Sequence, residues 1–254
     1  MSKSETGGDA RMPADAPPTL TMRSPQSALY PPDAAETKLV TLYSHAPHTI
    51  RLGMIESADG KAAGPDGSSR SLNGPQDLRI LRTLRSQADV VLVGAQTARR
   101  ERYGDITLPE AMQHARHLDD RTQQVELAIV TRSGNLPPNL DPQHTWIITT
   151  TTSSVARKLG PVWQERLIYA GADDISPRTV VRELNRRSMT RILCEGGPTL
   201  AAVLLERDLV DDFCLTTSPV VGGAKEPATP AVPKGLTLAH EIEGGGFSIR
   251  RWRR

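Results

Sequence analysis

Glu195, Gly196, Gly197, Pro198 and Thr199 stand between an apolar run, Arg191–Cys194, and a stretch of helical periodicity from Thr199 to Arg207. Leu200, Val203 and Leu204 fall at i, i+3 and i+4 and share one helical face. Paired glycines admit a ligand close to the backbone because no side chain stands in the way. Pro198 suits a first helical turn, where its missing N–H costs nothing. A helix starting there presents free N–H groups and partial positive charge, the arrangement that binds phosphate. The chemistry expected of Gly196, Gly197, Pro198, Thr199 and Leu200 is to hold a dinucleotide or another phosphate. An ordinary strand-turn-helix with a glycine turn uses the same letters, so the string alone leaves both readings open.

Further candidate groups stand at the ends of other apolar runs. Ser57 and Asp59 follow the alternating stretch Thr49–Glu56, in a Ser-Ala-Asp-Gly string that also reads as a simple turn. Gly94, Thr97 and Glu101 follow the continuous apolar run Asp89–Gly94, which has the pattern of a central parallel strand. Thr131, Arg132 and Ser133 follow Leu127–Val130. A cation with hydroxyls at a strand end can hold a 2′-phosphate through paired guanidinium bonds, which would select NADP over NAD. Gly171 ends the run Arg166–Ala170.

Asp77 belongs to a helix opened by Asn73-Gly74-Pro75-Gln76, where Asn73 is expected to cap and Gln76 to complete the box. Asp77, Leu81, Leu84 and Ala88 lie on one face, so a carboxylate tops an apolar stripe, with Arg79, Arg82 and Arg85 on other faces. Asp77 is either a wet group favoured by the helix dipole, or a buried acid that needs a partner or a raised pKa.

These groups must be positioned by alternating strands and helices. Apolar strands of four to six residues separated by helical stretches predict an α/β domain with a mainly parallel sheet. The candidate ligand groups then gather at the C-terminal ends of strands, where open α/β sheets bind ligands. The polar loop Gly64–Ser71 is placed to fold over a ligand. Between Tyr103 and Gln124 the pattern allows a short helix around Ala111–Leu118 or a long loop. Its His114, Arg116, His117 and Arg121 read as a solvated face rather than a phosphate site. Their spacing is not that of metal ligands, and no metal is expected. Further elements are a strand at Trp146–Thr150, helices at Ser153–Leu159 and Pro177–Arg187, and a strand at Phe213–Val221. A hairpin pairs Leu236–Glu243 with Phe247–Trp252 about three glycines. It leaves Phe247, Ile249 and Trp252 on an exposed edge unless that edge is paired or covered.

The 254 residues allow one large domain or two small ones. A net charge of +2 with 24% charged residues points to neither nucleic acid nor membrane. Cys194 and Cys214 lie in apolar runs and read as core thiols in a reducing compartment. No apolar run has the length of a membrane span and none resembles a signal peptide, so a soluble cytoplasmic protein is expected. Residues 1–18 carry the composition of a disordered tail. Residues 19–48 are expected to dock as an N-terminal extension with no regular element beyond a short helix, and residues 49–254 form the domain.

The string Glu-Gly-Gly-Pro-Thr-Leu at 195–200, after a strand and before an amphipathic helix, resembles the NADP-binding signature of the reductase domain of the bacterial riboflavin-biosynthesis deaminase-reductase family. That domain has the dihydrofolate reductase-like fold: a mainly parallel sheet flanked by helices, ending in antiparallel strands. The resemblance covers about Thr49 to Trp252. Ser57-Ala58-Asp59-Gly60 matches the family's Ser-Leu-Asp-Gly, with Ala58 in place of Leu. Thr97 and Glu101 occupy the positions of a threonine and an acid that face the nicotinamide half of NADP. The resemblance implies NADPH as cofactor, a homodimer, and hydride transfer to C1′ of a 5-amino-6-(5-phosphoribosylamino)uracil-type substrate, giving its ribitylamino form. Asp59, Asp77 and Glu195 are then the catalytic candidates, and Ser57 and Arg85 the substrate contacts, Arg85 by family position only. The family's fused form carries a zinc deaminase with His-x-Glu and Pro-Cys-x-x-Cys. Neither string occurs here, so deamination is not expected. Asp77 resembles in placement the acid that contacts the pterin in dihydrofolate reductase, which suggests a dihydrofolate or pteridine reductase as an alternative. A catalytically idle NADP-binding regulatory protein is the other.

Overall fold

In a computed structural model of the chain, residues 18–223 and 225–254 are described. The expectation for the first seventeen residues lies outside them. The elements in chain order are β1 (Leu20–Ser24), β2 (Ala28–Tyr30), α1 (Thr37–Leu42), β3 (Thr49–Glu56), α2 (Pro75–Ser86) and β4 (Val90–Gly94). They continue with α3 (Ala95–Arg100), α4 (Glu110–Leu118), β5 (Glu126–Val130), β6 (Thr145–Thr149), α5 (Val155–Leu159) and β7 (Leu167–Tyr169). The last are α6 (Pro177–Asn185), β8 (Arg191–Gly196), α7 (Pro198–Glu206), β9 (Asp212–Thr217), β10 (Thr237–Gly244) and β11 (Phe247–Arg253).

Among the described residues these strands make one eleven-stranded sheet in the order β2-β1-β10-β11-β9-β3-β8-β4-β5-β6-β7. From β9 to β7 every neighbour is parallel. From β9 outward through β11, β10, β1 and β2 every neighbour is antiparallel. The α/β class with a mainly parallel sheet and an antiparallel C-terminal hairpin is what the sequence predicts.

The continuous apolar runs follow from burial on both faces of the sheet. Along β4, Val91 and Val93 point into one core with Leu84 of α2 and Met112 of α4, while Val90 and Leu92 point into another with Val180 of α6 and Leu204 of α7. Strand alternation thus assigns the helices to two layers. Among the described residues no helix is long and apolar enough to cross a membrane.

One expectation is overturned. Residues 20–30 contain two strands, because Leu20 and Met22 are buried and β1 adds to β10. The C-terminal hairpin meets the stated condition of being paired and covered: β11 lies between β9 and β10, and β1 covers β10. Phe247 and Ile249 are buried in consequence.

Buried arginines fasten the N-terminal segment. Arg79 of α2 donates to both carboxylate oxygens of Glu36, at 2.6 and 2.5 Å, and to the Pro18 and Tyr30 carbonyls. Arg51 and Arg251 converge on Asp212, with Nη2 to Oδ2 distances of 2.7 and 2.6 Å, and also donate to the carbonyls of Leu42, Tyr43 and Ser44. Burial works against the Asp212 charge, but the two guanidiniums hold its carboxyl below the ordinary range. Arg116 is likewise buried and not solvated, donating to the Ser86, Ala88 and Thr122 carbonyls behind the C-terminal end of α2.

Candidate active site

The C-terminal ends of β4, β5 and β8 open onto a cleft of about 1040 Å³. Gly94, Thr97, Thr131, Arg132, Ser133, Gly197, Pro198, Thr199 and Leu200 line it. Gly197 is the N-cap of α7 and Pro198 opens the helix. The first N–H groups of an α-helix have no partner within it, so Thr199 and Leu200 present donors here. Gly196 has φ +91°, a conformation open to glycine and strained for other residues. A Cβ on Gly197 would stand 2.4 Å from Thr97 Oγ1, so a side chain there would have to displace the Thr97 hydroxyl. Arg132 is extended over the rim, its side chain 75% exposed and its Nη1 3.8 Å from Asp174 Oδ1. It is free to meet an incoming anion. Thr131, by contrast, is buried and accepts from the Gly134 amide at 3.0 Å.

Thr97, Arg100, Gly197 and Pro198 also border a second, smaller cavity of about 110 Å³. Its walls carry Asp77, Leu81 and Leu84 from α2, Met54 and Ile55 from β3, Thr216 from β9, Glu195 from β8, and Glu101 and Tyr103. The two spaces therefore share a border at Thr97 and Gly197, with Glu195 and Asp77 on the far space only.

Glu195 has a side chain 4% exposed and is fully engaged. Arg85 Nε and Nη2 donate to its two oxygens, each at 2.7 Å, and the Tyr103 hydroxyl donates to Oε2 at 2.6 Å. The Arg85 guanidinium also lies over the Tyr103 ring, 5.7 Å from its centre. Burial opposes the Arg85 charge, yet Glu195 more than offsets it and holds the guanidinium firmly protonated. Burial first, then the Glu195 charge, push the Tyr103 phenol well above its ordinary value. Arg85 and Tyr103 are thus two dedicated donors to the Glu195 carboxyl group.

Asp77 is 7% exposed. Burial pushes its carboxyl up to about 6, with Thr216 pulling it down and Glu195 pushing it further up. It is neither capped nor wet: the N-cap of α2 is Gly74. Asn73 instead turns its amide to the Ser69 carbonyl at 3.1 Å and to Asp77 Oδ2 at 3.2 Å, in the orientation that satisfies both ends.

Several predicted residues stand elsewhere. Glu101 borders the small cavity rather than the cleft. It accepts from Ser68 Oγ at 2.7 Å and the Ser69 amide at 3.1 Å, so it pins the polar loop against the cavity. Ser57 and Asp59 reach neither space: Ser57 Oγ donates to Asp59 at 2.7 Å, and Asp59 accepts the Gly222 amide at 2.7 Å, which locks two loops together. Arg85 lines neither space and acts through Glu195. Gly171 shapes the β7–α6 turn, where a Cβ would meet the Asp174 carbonyl. Tyr103 was not singled out from the sequence. It lies in the least regular stretch, where no periodicity marks a single aromatic residue as buried.

Residues 48–241 match the family model described as the RibD C-terminal domain. The chain is 24% identical over 194 residues to the 2,5-diamino-6-ribosylamino-4(3H)-pyrimidinone 5′-phosphate reductase of Methanothermobacter thermautotrophicus, covering 75% of this chain and 86% of the relative. The protein of the same name from Archaeoglobus fulgidus is 23% identical over 210 residues, covering 79% of this chain and 95% of the relative. Among solved structures, a pyrimidine reductase-like protein from Corynebacterium diphtheriae superposes with a TM-score of 0.66 at 24% identity, covering 82% of this chain and 91% of that one. That likeness concerns the fold.

Proposed function

The chain belongs to the RibD C-terminal domain family, and from that premise we propose that it is an NADPH-dependent reductase of riboflavin biosynthesis. The substrate is a 5-amino-6-(5-phosphoribosylamino)pyrimidine, of which the uracil expected from the sequence is one member, and the product is its ribitylamino form. The observation that carries this reading is the shared border of cleft and cavity at Thr97 and Gly197. A dinucleotide in the cleft and a ring in the cavity would meet there.

The cleft suits NADPH by its donors. Thr199 and Leu200 offer N–H groups to the pyrophosphate, Arg132 and Ser133 stand at a strand end for the 2′-phosphate, and Gly94 and Thr97 border the nicotinamide side. When bound, NADPH supplies a hydride, to C1′ of the ring-opened imine of the substrate. The protein's share is orientation and electrostatics. Glu195, fixed by Arg85 and Tyr103, presents an oriented carboxyl group to the cavity, balanced by the Arg85 guanidinium behind it, and so helps to position the substrate. The apolar wall of Leu81 and Leu84 excludes water. Asp77 and Glu195 are the substrate-facing acids. Ser57, Asp59 and Arg85 serve by holding loops or carboxylates in place. A homodimer and a cytoplasmic location belong to the same reading, on the family resemblance. The domain division at residues 18 and 48 belongs to it as well.

Steady-state NADPH oxidation with the phosphoribosylamino-pyrimidine as substrate is the test, with the ribitylamino product identified by mass. Oxidation with a dihydropteridine alone establishes the pteridine reductase that Asp77 suggests. NADPH binding with no oxidation by either substrate establishes a binding protein and refutes the enzyme.

A further inference from the structure

The small cavity is undersized for the substrate that the reductase reading gives it. It holds about 110 Å³, whereas sites that enclose a small molecule usually hold roughly 300–1,000 Å³. A pyrimidine ring with its sugar phosphate therefore needs a wall that gives way. Leu84, Leu193 and Cys214 cannot, because they belong to the close-packed core. Ala62, Ser69 and Asn73 come instead from the connection between β3 and α2, outside the sheet and its α-helices.

Residues 64–71 of this connection are knit to themselves. The Gly64 amide donates to the Ser68 carbonyl and the Gly67 amide to the Gly64 carbonyl, each at 3.0 Å. The Ser68 amide donates to Asp66 Oδ1 at 2.9 Å. A loop closed on itself in this way keeps its shape when it moves. Among the described residues, the hydrogen bonds that tie it to the chain beyond α2 end on Glu101. Ser68 Oγ donates to Oε2 at 2.7 Å and the Ser69 amide to Oε1 at 3.1 Å. Arg70 Nε adds a loose contact, 3.8 Å from Oε2. The Glu101 side chain is 7% exposed, so these bonds form away from water, where each is stronger. Arg100 Nε, 3.4 Å from Oε1, balances the charge.

Glu101 is also fixed to the border of the two spaces. Its amide donates to the Thr97 carbonyl at 2.8 Å, one turn back along α3. One short helix thus connects Thr97, where cleft and cavity meet, to the residue that holds the loop.

We propose that Glu101 is a positioning residue: it latches residues 64–71 over the small cavity, releases them to admit the pyrimidine, and closes Ser69 onto it. The substrate in this proposal rests on the reductase reading, and the latch rests on the loop contacts alone. The proposal gives Glu101 a task at the loop in place of the nicotinamide contact that the sequence resemblance implied.

Ser68→Ala is the decisive variant, because Ser68 lines neither space and its hydroxyl reaches the site only through Glu101. Wild type, Ser68→Ala and Glu101→Ala are compared by two measurements. One is hydrogen exchange of the Ser69 amide in the ligand-free protein. The other is steady-state kinetics with the phosphoribosylamino-pyrimidine at saturating NADPH. Both variants are expected to exchange Ser69 at least about tenfold faster. Both should raise KM by about tenfold while kcat changes far less. Glu101→Gln keeps the length and one acceptor oxygen, and recovers part of the protection. The NADPH dissociation constant stays unchanged and serves as the folding control. An unmoved KM in Ser68→Ala overturns the proposal, even if Glu101→Ala does not fold. A Glu101→Ala protein whose NADPH affinity falls as far as its KM rises overturns it too, and returns the residue to the cofactor. A wild type that turns over no pyrimidine refutes the reductase reading, whereas unchanged Ser69 exchange in Ser68→Ala refutes the latch, so the two failures are told apart.

Discussion

Arg85 grips Glu195 with two parallel hydrogen bonds, Nε to Oε1 and Nη2 to Oε2, each 2.7 Å long. The pair joins α2 to the end of β8, so the helix that carries Asp77 and the strand that leads to the glycine turn are fixed to each other. Bidentate geometry is the strong form of this contact. Arg85→Ala leaves a buried carboxylate with the Tyr103 hydroxyl as its remaining donor. We expect it to cost roughly 2–4 kcal/mol of stability, below the range for a fully buried pair because Arg85 keeps some water. Arg85→Lys retains the charge but not the fork, and should recover most of the melting temperature while kcat stays low. Recovery of both would show that charge alone matters.

Arg132 tests the cofactor assignment. Its guanidinium stands on the cleft rim, 75% exposed, with only a loose contact to Asp174. Arg132→Ala should weaken NADPH by roughly 1.5–3 kcal/mol, the range for a hydrogen bond between charged groups. NADH affinity should hardly change, because NADH lacks the 2′-phosphate. Dissociation constants for the two cofactors decide it, and a wild type that binds both equally refutes the assignment.

The buried charge cluster predicts acid sensitivity. Burial, then the Arg51 charge, push the His45 imidazole down to about 3. Burial and Arg251 push His240 down to about 4. A histidine depressed in the folded state favours folding above its ordinary value near 6.5, and that contribution is lost as pH falls toward the folded value. His45 alone can cost up to roughly 4–5 kcal/mol over that window. Asp77 acts with the opposite sign. Its carboxyl is raised to about 6, so its contribution is present below the ordinary carboxylate value and is lost as pH rises through 6. Thermal melts from pH 4 to pH 8 should therefore show His45→Leu flattening the acid limb. Asp77→Asn should stabilise the ligand-free protein at pH 8, by up to roughly 3 kcal/mol, with little effect at pH 4. An unchanged acid limb in His45→Leu would locate the sensitive group elsewhere.

Legibility in the sequence followed the strength of the local pattern. The parallel strands were readable because burial on both faces leaves unbroken apolar runs such as Val90–Val93. The glycine turn was readable because Gly196 and Gly197 meet two separate steric demands, a positive φ and a close approach to Thr97. The strands at 20–30 were not readable, since both are short, β1 owes its place to β10, more than two hundred residues away, and β2 pairs with β1. Tyr103 was missed for a related reason. What makes it part of the site is its place in the cavity wall, under the Arg85 guanidinium, and its hydrogen bond to Glu195, a partner 92 residues distant. Ser57 and Asp59 sit in a string that fits a ligand turn, while in the fold Ser57 donates to Asp59 and the Lys61 and Gly222 amides donate to the pair, contacts no local pattern announces.

The N-terminal strand carries its own prediction. Leu20 and Met22 are buried, and β1 shields the edge of β10. Among the described residues, a chain beginning at Leu20 loses the Pro18 carbonyl that Arg79 reaches, and its melting temperature should fall little. A chain beginning at Gln26 loses both apolar side chains, worth roughly 3–6 kcal/mol together, and bares an edge that invites association. A sharp drop in melting temperature between the two truncations, with aggregation of the shorter one, is the expected result. Equal melting temperatures would show that β1 adds nothing to the fold.

Gly197 and Thr97 provide the last test, because they form the border between the two spaces. A Cβ on Gly197 meets Thr97 Oγ1 at 2.4 Å, a distance no real Cβ contact adopts, and otherwise meets only Thr97 Cβ, at 3.7 Å. The clash is thus with one hydroxyl rather than with backbone. Gly197→Ala should force the N-terminal turn of α7 and the Thr97 side chain apart and weaken NADPH. Overpacking of this kind typically costs about 1–3 kcal/mol. Thr97→Ala removes the obstructing oxygen, so the double variant should regain cofactor affinity that Gly197→Ala alone loses, apart from what the Thr97 hydroxyl itself contributes. A double-mutant cycle on the NADPH dissociation constant measures this coupling. Additive losses would mean that the added methyl blocks the ligand directly. A favourable coupling of more than about 1 kcal/mol would mean that the glycine is there to let the α7 turn close onto Thr97.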